Sequence, residues 1–402
     1  MTTVDIVNPS TYVPGFPYRE VAELRRSGPV VWVEDSESNS ASGAGFWYVM
    51  GHTEVVGVGR HPEVFSSYEG GTWLRDMSPE ELVIVRQAML NIDPPMHTQM
   101  RKIINKAFTP RVVASMAESI EVHATNLVNA LGDGGEVDWV TAVSAEMPLL
   151  VLADILGVSA ADRSLLFDWT NRMIAFDDPD APNRRHNMAA FFELFAYARN
   201  KTQEKRAHPG TDVWSLVVNA EVDGEYLTDD QLDRFFQLLV IAGNETTRNM
   251  LSGAVLLLSE HPDQFELLRT RPELMPQAVE EILRMFPPIM HFRRTCVQDT
   301  TLGGQQIRAG DKVVLSYAAA NRDGAVFDNP DTFDITREHN PHVSFGFGTH
   351  FCLGGGVARL EGRILLTKLL DRFPKIEVTG PPDRLRSNFV NGITALPVRL
   401  SC

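Results

Sequence analysis

A mainly α chain with a small β subregion, folded as a single large domain over residues 1–402, is what this sequence predicts. Three observations carry the expectation. From about Asp93 to Leu283 apolar residues recur at helical spacing, while β-rich runs fall only before and after that stretch. Inside it, LTDDQLDRFFQLLVIAGNETTRNMLSGAVLLLSEHP is the strongest helix signal in the chain. No repeat, low-complexity tract or Pro/Ser-rich linker divides the sequence, against the two or three domains that length alone favours.

In chain order, PVVWV at 29–33 and FWYVM at 46–50 are strand-like and bounded by glycines. DPPMHTQMR at 93–101 starts a helix, its prolines suited to a first turn, and MRKIINKAFTP carries helical character to Pro110. The apolar stretch 146–156 and MAAFFELFAYARNK at 188–201 predict further helices. The central helix is capped by Thr228, with Gln231 completing a capping box, and ends near His261-Pro262. At about 33 residues it spans roughly 50 Å. Past Pro287 the pattern turns β-like, with GGQQIRAGDKVVLSY at 303–317 as a hairpin candidate. A last helix begins near Gly354 and ends by Phe373, and the strands at the two ends are expected to pair with each other.

Composition excludes several classes. With 44% hydrophobic residues the chain can fill a large core, and its net charge of -15 argues against a nucleic-acid binder, which needs a basic face. Cys296, Cys352 and Cys402 are too few and too far apart for a disulfide framework or a CxxC zinc site. The start lacks the basic-then-apolar build of a signal peptide, and no apolar run approaches the roughly 20 residues that span a bilayer. A cytoplasmic protein without a membrane anchor is expected.

Two stretches carry chemistry. AGNETT, residues 242–247, interrupts the apolar central helix with Gly243, Glu245, Thr246 and Thr247. It admits a helix kink with threonines bonding back to the preceding turn. It also admits a pocket where the helix opens around a small polar ligand and Glu245 and Thr246 move protons, which accounts for an acid that would otherwise be expensive to bury. The second stretch is FGFGTHFCLGGG, residues 345–356, with one cysteine among five glycines just before the last helix. Unpaired helix N–H groups favour a thiolate at Cys352. The glycines let the main chain approach something large and flat, which suits a metal ligand better than a nucleophile; a small buried hydrophobe is the alternative.

FGFGTHFCLG resembles the haem-binding signature of the cytochrome P-450 monooxygenases, Phe-x-x-Gly-x-x-x-Cys-x-Gly, matched by Phe345, Gly348, Cys352 and Gly354. AGNETT resembles the family's oxygen-binding helix motif, and EILR, with Glu281 and Arg284, its Glu-x-x-Arg pair. The resemblance implies the cytochrome P-450 fold and a haem b whose iron takes the Cys352 thiolate, a ligand that favours O–O cleavage. It further implies that Ala242 and Gly243 border the cofactor and that His97, Arg101, Arg294 and His350 hold the haem propionates. Glu281 and Arg284, joined by Arg337, would serve folding and haem loading. The glycine run 354–356 is richer than the family's pattern and implies a looser helix start with faster haem loss.

The implied reaction inserts one atom of O2 into an unactivated C–H bond, with electrons from ferredoxin and ferredoxin reductase. Arg101, Lys102 and Lys106 on one helix and Arg359 and Arg363 on another would form a basic patch for an acidic donor, or merely a solvated face. Candidate substrate walls are Leu239, Ala242, Ile289, Met290, Phe292, Val390 and Ile393, mostly bulky and apolar, with stretches 66–90 and 165–200 as the lid. MLNIDPPMHT, RKIINKAFTPR and LRSNFVNG are most similar to bacterial members acting on sterol side chains, branched lipids and terpenoids. A polyketide or aromatic metabolite is the alternative substrate. A peroxygenase or a non-catalytic haem-binding protein would not need the Glu245–Thr246 pair.

Overall fold

The structure, a computed structural model, describes residues 4–176 and 184–401; Cys402 and the 177–183 part of the expected lid lie outside them. The strands are β1 (Val30–Ser40), β2 (Gly43–Val49), β3 (Phe65–Ser66), β4 (Gly134–Asp138), β5 (His291–Cys296), β6 (Thr300–Leu302), β7 (Gln305–Ile307), β8 (Lys312–Ser316), β9 (Lys375–Val378), β10 (Asp383–Arg384), β11 (Ile393–Ala395) and β12 (Pro397–Ser401). The main sheet runs β1-β2-β8-β5-β3. The first two strands form an antiparallel hairpin, Val30 opposite Val49 and Trp32 opposite Trp47. β2 then pairs in parallel with β8, Trp47 beside Val313, so strands from the two ends do meet.

The hairpin expected over 303–317 does not form. Gly303 and Gly304, at φ 55° and 80°, turn the chain between β6 and β7, with Leu302 opposite Gln305. Two successive positive φ values are what a tight hairpin turn demands, and glycine adopts them without strain. β8 leaves this hairpin for the middle of the main sheet, where all five of its residues are buried.

The helices that build the core and the site are α1 (His52–Arg60), α2 (Met96–Asn105), α3 (Ala117–Ala130), α4 (Glu146–Leu156), α5 (Arg163–Phe176), α6 (Arg184–Ala207), α7 (Asp229–Glu260), α8 (Met275–Met285) and α9 (Gly355–Arg372). α7 is the predicted central helix, and its capping box is present: Gln231 N–H donates to Thr228 Oγ1 at 3.3 Å and Thr228 N–H to Gln231 Oε1 at 2.9 Å. Every residue from Asn249 to Leu258 is buried, as expected of a helix apolar all round. α4, α6 and α8 pack against it, and α9 lies between α8 and α3. Among the described residues no helix is long and apolar enough to cross a membrane.

Beside the site, α8 carries a fully buried knot. Arg284 Nε and Nη2 each donate to the Glu281 carboxylate at 2.8 Å, and its remaining N–H groups reach the carbonyls of Asn321, Pro330 and Thr332. Glu281 also accepts from Arg337, Asn340 and the Asp334 N–H. The expected trio is thus present, and it pins the 321–340 segment to α8.

On α9, Glu361 is 3% exposed and its Oε2 has no hydrogen-bond partner. Burial lifts its pKa from 4.5 to about 8. The folded chain therefore keeps a proton that the unfolded chain releases, and stability falls as pH rises from 4.5 towards 8, at up to about 1.4 kcal/mol per pH unit. Glu361→Gln should flatten that slope, as read from urea midpoints below and above the window; an unchanged slope would show that the carboxyl finds a partner.

Candidate functional site

Cys352 is placed by the loop that precedes α9. Its N–H donates to the Phe345 carbonyl at 2.9 Å, and Gly346 and Gly348 take φ of 69° and 75°. A Cβ on Gly348 would lie 1.8 Å from the Gly59 carbonyl oxygen of α1, so only glycine lets the loop rest on that helix end. Cys352 is exposed, and Cys296 is buried in the sheet. Burial among protein atoms pushes the thiol pKa up, against the pull of the Gly354 N–H, Arg101, Arg359 and the Gly355 N–H. A bound cation would reverse the balance.

The glycine run does not all serve close approach. Gly354 has open space around it, and a Cβ on Gly356 would meet Val113 at an ordinary 3.6 Å. Gly356→Ala should therefore be tolerated, stiffen the first turn by up to about 1 kcal/mol, and slow haem transfer to an acceptor protein. Transfer at the wild-type rate would count against a loose helix start.

Four predicted cofactor residues converge beside the cysteine. The His97 and His350 rings are 4.3 Å apart between centroids, and Arg101 Nη2 donates to the Phe351 carbonyl at 2.8 Å. Arg294, 5% exposed on β5, donates to its neighbour's carbonyl, Arg293 O, at 2.7 Å. Burial and then Arg101 depress His97 to about 4, with Arg294 adding and Asp93 opposing. His350 is lowered by burial, Arg294, His97 and Arg101. Asp93 is already committed to Ser66 Oγ and the Ser67 N–H, and His97 Nδ1 is buried without a partner. One buried and one half-buried arginine and two histidines held neutral beside one cysteine form a cluster short of negative charge, which fits the two propionates of a haem. Among the described residues no three His, Cys, Asp or Glu gather to hold a metal, so Cys352 would be its lone protein ligand there.

α7 runs without interruption through AGNETT. Thr246 Oγ1 donates back to the Ala242 carbonyl at 2.7 Å, the first of the two accounts sequence allowed. Glu245 is 5% exposed, and its charge is paired: Oε1 accepts from Arg248 Nη2 at 2.5 Å and Asn249 Nδ2 at 2.9 Å, while Oε2 is buried and unpartnered. These partners sit at i+3 and i+4, a spacing legible in the sequence but not used there. Ala242 is exposed, whereas a Cβ on Gly243 would face Leu152 of α4 at 3.6 Å.

The proposed walls divide. Leu239, Ile289, Phe292 and Val390 are half-exposed, with Ile289 and Val390 bridged across two segments. Met290 at 1% and Ile393 at 0% exposure pack instead into the N-terminal and main cores. Sequence reasoning missed Phe389, whose ring meets those of Trp73, His291 and Phe292 at centroid distances of 6.4, 5.7 and 5.3 Å. Nor are the basic residues all free. Arg359 forks onto Glu280, Arg363 donates to the Arg359 carbonyl and Lys106, though exposed, reaches the Glu221 carbonyl, while Lys102 is exposed.

A sequence model of one family, Cytochrome P450, matches residues 149–400. The chain is 38% identical to the steroid C26-monooxygenase of Rhodococcus jostii over 400 residues, 98% of this chain and 84% of that one. It is 38% identical to the linalool 8-monooxygenase of Pseudomonas putida over 408 residues, 100% of this chain and 99% of that one. The crystal structure of CYP109E1 from Bacillus megaterium with corticosterone superposes with a TM-score of 0.86 at 33% identity, covering 96% of this chain and 98% of that one.

Proposed function

This chain belongs to the cytochrome P450 family, an oxidoreductase of the monooxygenase kind that acts on hydrophobic substrates, and we propose that it hydroxylates an unactivated C–H bond of a sterol side chain, terpenoid or branched lipid. The observation that carries the assignment of its site is the cysteine loop laid on α1 beside a cation-rich cluster short of acid. In this proposal Cys352 gives its thiolate to the haem iron, while Phe345 and Gly354 shape the loop around it. His97, Arg101, Arg294 and His350 bind the propionates, and Ala242 and Gly243 border the ring. When bound, the haem would supply the oxidising power for a reaction that uses O2, two electrons and two protons and yields the hydroxylated substrate and water.

The protein must deliver two protons for that water. Glu245 Oε2, the oxygen without a partner, is the relay point for them, and Thr246 passes them on once its hydroxyl turns from the Ala242 carbonyl. Thr246→Ala should cut product formation by ~10²-fold while reductant is still consumed and peroxide appears. Product and reductant staying matched in the variant would remove Thr246 from the path.

Leu239, Ile289, Phe292 and Val390 exclude water around an apolar ligand. The names of the steroid and linalool relatives favour the same ligand class. Electrons come from a ferredoxin and its reductase, docking at a face that includes Lys102, in the cytoplasm. Optical titration of the ferric protein with sterols, terpenoids and branched fatty acids tests the substrate class. A shift to the high-spin spectrum supports it, and a flat response to all of them turns the choice to polyketides or aromatics.

A further inference from the structure

We infer that Arg359, oriented by Glu280, is a positioning residue that holds a permanent positive charge against the Cys352 loop and so sets how strongly the sulfur donates electrons, with Glu280 as the counter-charge that attenuates it. The inference rests on Cys352 being the haem ligand, as proposed above.

Arg359 stands on the first turns of α9 and is held from three sides. Its Nε and Nη2 donate to the two oxygens of Glu280 on α8 at 2.7 and 2.8 Å. Its guanidinium carbon lies 4.4 Å from the centre of the Phe345 ring, and Nη1 reaches back to the Gly355 carbonyl at 3.4 Å. Phe345 is also the residue whose carbonyl receives the Cys352 N–H. A bidentate fork and a stacked face remove the freedom that a solvent-seeking arginine would keep.

Glu280 is fixed in turn by His342 Nε2 at 3.0 Å. Burial would raise the Glu280 carboxyl, but His342 and Arg359 bring it down to about 2, so its charge is permanent as well. Arg359 thus reaches the Cys352 loop through Phe345, and Arg101 reaches it from α2 through the Phe351 carbonyl, so both bring positive charge to it. A positive charge beside a thiolate weakens its push and stabilises the more negative, reduced state of a metal bound to it. Removing the arginine and removing its counter-charge must therefore act in opposite directions.

The experiment is an equilibrium redox titration of the haem-loaded protein with small chemical mediators and no protein partner. Arg359→Gln should lower the midpoint potential, Glu280→Gln should raise it, the double variant should fall between them, and Arg359→Lys should recover most of the first shift. Shifts of the same sign, or no shift in either variant, would overturn the inference. So would an Arg359→Gln variant whose potential holds while its reduction by a ferredoxin slows, since that is the behaviour of a docking residue. If Arg359→Gln does not load haem, Glu280→Gln decides alone: a rise supports the assignment, and no rise overturns it. A wild-type protein with no thiolate–haem spectrum would instead refute Cys352 as ligand, and this inference with it.

Discussion

Arg284→Leu is expected to lower the unfolding free energy by about 3–5 kcal/mol, the usual result of leaving one partner of a buried ion pair alone. Both side chains are fully buried, so no water can solvate Glu281 once the guanidinium is gone. Arg284 also supplies the donors for the Asn321, Pro330 and Thr332 carbonyls, which would be orphaned together. Arg337→Ala should cost much less, because Asn340 and the Asp334 N–H still hold Glu281 and Arg337 is partly open to solvent. Urea unfolding of the variants measures both effects. A cost below about 1 kcal/mol for Arg284→Leu would mean that the 321–340 segment is held by something other than this knot.

Cys352→Ser should abolish thiolate-ligated haem and with it turnover, while the chain still folds. Serine keeps the Cβ, the backbone bond to Phe345 and the glycine conformations around it, so the loop has no reason to move. What changes is the ligand: an alcohol in this setting stays protonated, and it lacks the polarisable sulfur that pushes electron density to iron. The loss should exceed the roughly 10²–10³-fold cost of deleting one transition-state hydrogen bond. Absorption spectra of the reconstituted variant and product assays read it directly. Residual turnover close to wild type would place the metal ligand elsewhere.

Features fixed by neighbours in the chain were legible from sequence, and features fixed by distant partners were not. Thr228 and Gln231 are three residues apart, and the capping box they predict is present. The Cys352 loop is likewise a local device, written in glycines whose backbone angles only they tolerate easily. KVVLS was recognisable as a strand, but periodicity cannot choose a partner, and it pairs with β2 and β5 rather than with its own neighbour β7. Met290 and Ile393 are apolar whether they line a cleft or fill a core, and only the folded chain separates the two. Arg359 read as a surface cation because Glu280, its partner, is 79 residues away.

The parallel pairing of β2 with β8 has a consequence for how this chain is made. Trp47 Nε1 donates to Asp311 Oδ2 at 2.9 Å across 264 residues. The entropy of closing so long a loop grows only logarithmically, so the equilibrium cost is modest. The delay is another matter: at about 5–20 residues per second, the ribosome leaves the inner edge of β2 without its neighbour for on the order of ten seconds to a minute. Through that interval the β1–β2 hairpin presents unpaired backbone and the side chains of Phe46 and Tyr48, which are buried in the finished protein. Nascent chains halted before Ser316 are therefore the species that will associate through that edge.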